Sequence, residues 1–355
     1  MSFLTEEEVD LLTINRMIFH VVGKNLEIPV LLNEITPPQH TDFFLGRIKT
    51  SLKGNLFNFL PRSNTERILR IIRSEADNDP NCFSEQSKML ASDFQSHHKG
   101  NTSQGVFFVF ELLNKHEKLY ALIKYDNEDV VRYVLQQNID VAHVPRLERF
   151  HESFIRKAES MQKIALVKLN GDDIEGGIIA VLDRSKRSNI SEYFEGFLQV
   201  RRIHTEKTLT EKLVEVLKKV FKENKHILPE HIARTGVNRI YESIHQGEFE
   251  FDTNNPTVPL TAIFGQLDEA SNIVKSFTRE SRNMGILGES FTVKPEFVQK
   301  PKRRRIETTE NVVILFDDDN APIRTDLHDG RIEIKIITAR ITLDDIDTQK
   351  IKRGN

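Results

Sequence analysis

GVFFVFELLNKHEKLYALIKY, residues 105–125, sets two apolar, β-rich runs around a short polar link. Gly105–Leu113 and Leu119–Tyr125 read as strands, and Asn114–Lys118 is too short to hold a crossover helix, so the pair must be antiparallel. The same logic applies to Lys163–Leu169 (KIALVKL) and Gly177–Leu182 (GIIAVL), joined by a turn rich in Gly and Asp. Ile14–Val22 and Leu26–Leu32, separated by Gly23-Lys24-Asn25, give a third expected hairpin. Pro29 demotes its second strand to an edge or bulge. Helical patterns lie between these runs at Thr41–Leu52, Asn64–Ala76 and Ser84–His97. In the second, Ile68, Leu69, Ile71 and Ile72 form one apolar stripe.

The expected fold class is α+β: an antiparallel sheet with attached helices over 1–200, a helical subdomain over 201–288, strands over 289–340 and a frayed tail over 341–355. Among the core residues should be Phe107 or Phe108, Val109, Leu122 and Ile164. In the helical part, Thr208-Leu209-Thr210-Glu211 reads as a capping box. The Leu209, Leu213, Val216, Leu217, Val220 and Phe221 stripe follows a period of 3.6. Further helices are expected at Pro229–His245 and Leu267–Arg282. Asn311–Phe316 and Arg331–Ile337 read as a C-terminal β-hairpin that could rejoin the first sheet.

Composition narrows the chemistry. Of 355 residues, 38% are hydrophobic and 29% charged, enough for a core of ordinary size and a charged surface. A single cysteine, Cys82, excludes disulfide scaffolds and cysteine-rich metal sites. No apolar run approaches the ~20 residues of a membrane span, and the acidic start MSFLTEEEVDLL argues against an export signal. No dinucleotide fingerprint, phosphate loop, nucleophile elbow or His-Glu-x-x-His occurs, so no cofactor or metal site is expected. One enzymatic pattern stands out: Asp317–Asp319 closes a strand, and Glu333 and Lys335 share a face of the next. Asp318 and Glu333 could hold Mg²⁺, with Lys335 on a phosphate, as in a metal nuclease. A charged sheet face is the simpler reading of the same residues, and the chain is expected not to be an enzyme.

Positive charge is segregated. Arg184–Lys225 holds 11 Lys/Arg against 6 Asp/Glu, and Lys294–Arg305 holds 6 against one, in a chain of net charge −3. Fields of that kind attract phosphate. Arg201, Arg202, Lys218, Lys222, Lys302, Arg303, Arg304 and Arg305 are the expected contacts to duplex DNA. Lys218 and Lys222 lie one helical turn apart. An acidic protein partner, met as part of an interaction scaffold, is the alternative.

Four stretches, in order, carry a resemblance: the Gly105–Tyr125 run, KIALVKL near Lys163, SEYFEGFLQVRR at Ser191–Arg202, and NVVILFDDDNAPIRTDLHDGRIEIKI at Asn311–Ile336. Together they resemble the bacterial 37-kDa nucleoid-associated protein family. The resemblance implies a non-enzymatic, double-stranded DNA-binding protein of the cytoplasm and nucleoid. Tyr193, Phe194, Phe197 and Leu198 match the family's Phe/Tyr-rich patch, and Arg201 or Arg202 its following basic position. The Lys302–Arg305 run and the polar tail past Asp344 depart from the pattern. The Tyr193–Leu198 patch is further expected to present an apolar face for a homodimer.

Overall fold

The computed structural model describes residues 4–24, 26–36, 38–51, 54–98, 103–115, 117–126, 161–171, 174–186, 188–267 and 271–344. Arg187, the tail from 345, and parts of the expected segments at Asn25, Leu52, His116, 172–173 and 268–270 lie outside them. Two units divide the chain, Met1–Val298 and Gln299–Asn355.

In the first unit, seven strands pair antiparallel throughout: β1 (Thr13–Val22), β2 (Asn55–Phe59), β3 (Gly105–Asn114), β4 (Glu117–Tyr125), β5 (Met161–Leu169), β6 (Gly177–Asp183) and β7 (Val200–Arg202). Their order is β1-β3-β4-β5-β6-β2-β7. The α+β, antiparallel expectation is borne out. The central runs are almost wholly apolar because both sheet faces are covered, so alternation sorts apolar residues between two cores. Phe19, Phe108, Phe110, Ile123 and Leu166 face one core, with Phe44 and Ile48 of α2 (Thr41–Ser51). Ile18, Phe107, Val109, Leu122 and Val167 face the other, closed by α3 (Asn64–Glu75), α4 (Cys82–Ser96) and α5 (Glu192–Leu198). A one-turn helix, α1 (Glu6–Asp10), precedes β1.

Leu26–Leu32 does not form the expected strand. It touches β1 through one bridge, Val21 with Val30, because Pro29 has no N–H to extend the ladder. Beside β6 lies β2 instead, a five-residue strand with asparagines at 55 and 58 that shows no clear period.

The same unit carries α6 (Glu206–Asn224), α7 (Glu230–His245), α8 (Thr257–Phe264) and α9 (Asn272–Asn283) around a separate apolar core. Two short strands, β8 (Phe249–Asp252) and β9 (Ser290–Val293), pair within it. The cap of α6 is Thr205, whose hydroxyl accepts the N–H of Thr208, so the helix opens before the expected box. All six stripe residues of α6 are buried. Gly236 lets α7 approach α6: a Cβ there would lie 2.1 Å from the Phe221 ring. Gly236→Ala should therefore destabilise the protein by about 1–3 kcal/mol from overpacking, more than the ~1 kcal/mol of helix propensity it gains. Urea denaturation measures this, and Phe221→Leu in the same chain should recover part of the loss.

The second unit contains two short hairpins, and none of its described residues is buried. The first joins β10 (Arg303–Glu307) to β11 (Val313–Asp317), the second β12 (Ile323–Asp326) to β13 (Ile332–Lys335). Asn311–Phe316 and Arg331–Ile337 thus pair with sequence neighbours rather than with one another. Among the described residues, neither hairpin is paired with the seven-stranded sheet. The short loops at 308–312 and 327–331 make these local closures easy.

Candidate nucleic-acid interface

The exposed side of α6 begins with mixed charge, then turns basic. Lys207, Glu211 and Glu215 are exposed in its first half, and Lys219, Lys222 and Lys225 at its end. Cations suit a helix C-terminus, where the unpaired carbonyls carry partial negative charge. Lys218 lies one turn before Lys222, half-buried, its Nζ 5.2 Å from the Tyr241 ring centre and 3.0 Å from Glu215 Oε1. Burial weakens its charged form, but Tyr241 and Glu215 outweigh burial, and its pKa lies above the ordinary lysine value. Lys219 reaches Glu280 at 3.8 Å, while Glu223 is taken by Arg279. Lys222 and Lys225 have no ion-pair partner among the described residues.

Arg201 and Arg202 have opposite fates. They are neighbours on β7, so their side chains leave opposite faces. Arg201 is exposed on this edge strand, across from Asn58. Arg202 turns inward. Its guanidinium donates to the Ser188 carbonyl at 2.6 Å, the Ser290 carbonyl at 2.8 Å, Asn55 Oδ1 at 3.0 Å and Glu289 Oε2 at 2.7 Å. Those four acceptors hold the guanidinium inward, and its remaining Nε is buried, so no free donor faces outward to a phosphate. The expectation that Arg202 contacts DNA is corrected: it clamps the sheet to β9.

The tetrabasic run of the second unit is largely answered from within. Arg303 stands opposite Asp317 in the ladder, and Arg304 Nη1 lies 3.2 Å from Asp318 Oδ1. Arg305 pairs with Glu307. One ion pair, Arg304 with Asp318, thus links the basic run to the acidic Asp317–Asp319 cluster across the hairpin. Lys302, Arg303 and Arg305 remain exposed. Asp318 ends the first hairpin, while Glu333 and Lys335 lie on the second. Among the described residues, no group of three or more His, Cys, Asp or Glu side chains could hold a metal ion.

The aromatic patch is also corrected. Phe194, Phe197 and Leu198 are buried in the core of their own chain, and Tyr193 packs against it. Phe94 gathers them: Phe107 stacks on it at 4.6 Å and Phe197 meets it edge-on at 4.9 Å. The spacing of 194, 197 and 198 is that of an inward helical face. Phe194, Phe197 and Leu198 therefore offer no dimer surface, and only Tyr193 is partly exposed.

Several buried ionic groups have no motif in the sequence. Lys163 Nζ lies 2.6 and 2.7 Å from the two Asp183 oxygens and 3.0 Å from Ser185 Oγ, beneath the Tyr193 ring at 5.0 Å. Burial holds the Lys163 pKa below its ordinary value despite Asp183. Asp183 also accepts the N–H groups of Ser185 and Ser191, both at 2.9 Å. Burial raises its pKa, but Lys163 and Ser185 outweigh burial and hold it low. With every Asp183 oxygen engaged, the pair fixes the turn leading to α5 rather than offering a site.

Of the expected cations, Arg201 and Lys222 are exposed in the first unit, and Lys302, Arg303 and Arg305 in the second. The family model of nucleoid-associated protein YejK matches residues 18–341, and the chain belongs to that family. It is a nucleoid-associated family, not one of enzymes. The resemblance carried by the four quoted stretches is thereby confirmed. Comparison with curated proteins gives no match. Among the described residues, no helix is long and apolar enough to cross a membrane.

Proposed function

We propose that the chain binds double-stranded DNA through its phosphates, without reading base sequence, in the cytoplasm at the nucleoid. The observation that supports this most is the end of α6. There Lys222 is exposed, Lys218 lies half-buried one turn before it, and Lys225 follows just beyond the helix. Arg201 in the first unit, and Lys302, Arg303 and Arg305 in the second, add exposed cations. Arg202 is left out, since Glu289, Asn55 and two backbone carbonyls hold it, whereas Arg304 and Arg305, like Lys218, each meet a single carboxylate. Lysines act on phosphate as point charges and arginines as forks, and neither use selects a base.

Titrating random-sequence duplex at several salt concentrations tests the reading. Affinity should fall steeply with salt, by about 0.9 log unit per log unit of salt for each phosphate contact. Lys218→Glu with Lys222→Glu should lower that slope by about two contacts and weaken every sequence equally. No binding at low salt would overturn the proposal. The exposed apolar side chains of the second unit favour a protein partner as well.

A further inference from the structure

Ile332-Glu333-Ile334-Lys335-Ile336 reads the same in both directions except that the charges change sign. Alternation puts Ile332, Ile334 and Ile336 on one face of β13 and Glu333 with Lys335 on the other. The strand pairs with β12 along one edge, and the two form a two-stranded sheet, so the other edge of β13 is unpaired among the described residues. Ile332 is 51% exposed and Ile336 61%. Glu333 and Lys335 are exposed with no ion-pair partner among the described residues. A two-stranded hairpin alone is marginal in water, and an unpaired edge with an apolar face invites a further strand.

We infer that β13 pairs antiparallel with β13 of a second copy of this chain, across a two-fold axis at Ile334. That register sets Ile332 against the partner's Ile336 and Ile334 against its own counterpart. On the other face it sets Glu333 against the partner's Lys335, twice by symmetry. The product is a four-stranded sheet of two hairpins, with an apolar face and two cross-strand ion pairs. A slip by one residue would put isoleucines against charges, and a parallel pairing would put like charges together, so one register is selected. Charge complementarity identifies the occupant as a second copy, because the sequence matches its own reverse. Residues 299–344 hold nine Lys/Arg and nine Asp/Glu, so two such units carry no net repulsion. β13 carries none of the proposed DNA contacts, so the pairing does not depend on DNA binding.

Sedimentation of the full chain over a broad micromolar range, without DNA, tests it. Wild type should be a dimer. Glu333→Lys alone or Lys335→Glu alone should weaken the dimer about tenfold, since each places like charges opposite one another at two symmetric positions. The double variant Glu333→Lys/Lys335→Glu should restore wild-type affinity, because the reversed palindrome still matches itself. Rescue by the double variant would show that the single variants lose the dimer through charge and not through unfolding of the hairpin. A monomer at every concentration, an assembly larger than a dimer, or a dimer indifferent to the single reversals would overturn the inference. So would single reversals that the double variant fails to rescue.

Discussion

Arg202→Ala should cost about 3–5 kcal/mol of stability, the range for removing one partner of a buried ion pair. It should leave the salt dependence of DNA binding unchanged. Glu289 is fully buried, and its Oε1 accepts the Leu56 N–H at 3.1 Å while Oε2 takes Arg202. Burial pushes its pKa up even though Arg202 pulls it down, so Glu289 carries a desolvation cost that Arg202, more than the Leu56 N–H or Lys212, offsets. Asn55 Oδ1 joins the same node, accepting the Ser290 N–H at 2.8 Å as well as an Arg202 N–H. Glu289→Ala should be as damaging as Arg202→Ala, since it leaves a half-buried cation without its carboxylate and the Leu56 N–H without an acceptor. Glu289→Gln, which keeps a carbonyl for Leu56, should cost less. The double variant should cost less than the two single losses added together. Urea denaturation of the four proteins measures all of this. A phosphate-binding Arg202 would behave in the opposite way, with stability kept and the salt slope reduced.

Arg202 also shows where sequence reading ends. Its charge is visible in the chain, but the carboxylate that claims it lies 87 residues further on, and no local pattern links them. The tetrabasic run is a milder case. Its acidic answer is 14 residues away at Asp318, yet only the β10–β11 register reveals the match. By contrast, Gly105–Tyr125 was legible because a five-residue link permits one pairing geometry, and its uninterrupted apolar character signalled a sheet covered on both faces. NLFNF was too short and too mixed to declare itself as β2. The α5 aromatics did carry a usable signal. Residues at i, i+3 and i+4 mark a core face of a helix, and that spacing should have outweighed the matching of an aromatic patch. Leu26–Leu32 looked like a strand by composition, but Pro29 leaves too few donors for a ladder.

Stability should fall by about 2 kcal/mol between pH 7 and pH 5 through His20 alone. The ring lies on β1, fully buried, and its Nδ1 accepts the Leu32 N–H at 3.1 Å. Nε2 must then carry the proton and donate to Ser87 Oγ, also at 3.1 Å, while Ser87 donates to the Ser84 carbonyl at 2.7 Å. Only the neutral ring fits this chain, because a second proton would set Nδ1–H against the Leu32 N–H. Burial, with a smaller push from Lys88, lowers the His20 pKa to about 3. The unfolded chain takes up the proton near 6.5. The native state therefore binds fewer protons below that pH. The stabilisation is fully present above about 6.5 and is lost progressively as pH falls toward 3. His98, lowered by burial to about 4, acts in the same direction. Glu289, raised by burial, acts in the opposite one. Asp183 is held low, so its contribution is lost only below the ordinary aspartate range. His20→Gln can still accept the Leu32 N–H but cannot titrate, so its stability between pH 7 and 5 should fall less steeply than wild type by about 2 kcal/mol. Chemical denaturation at pH 7, 6 and 5 measures both slopes. Equal slopes in the two proteins would mean that His20 is protonated within the fold and that the Leu32–His20–Ser87 chain does not set its tautomer.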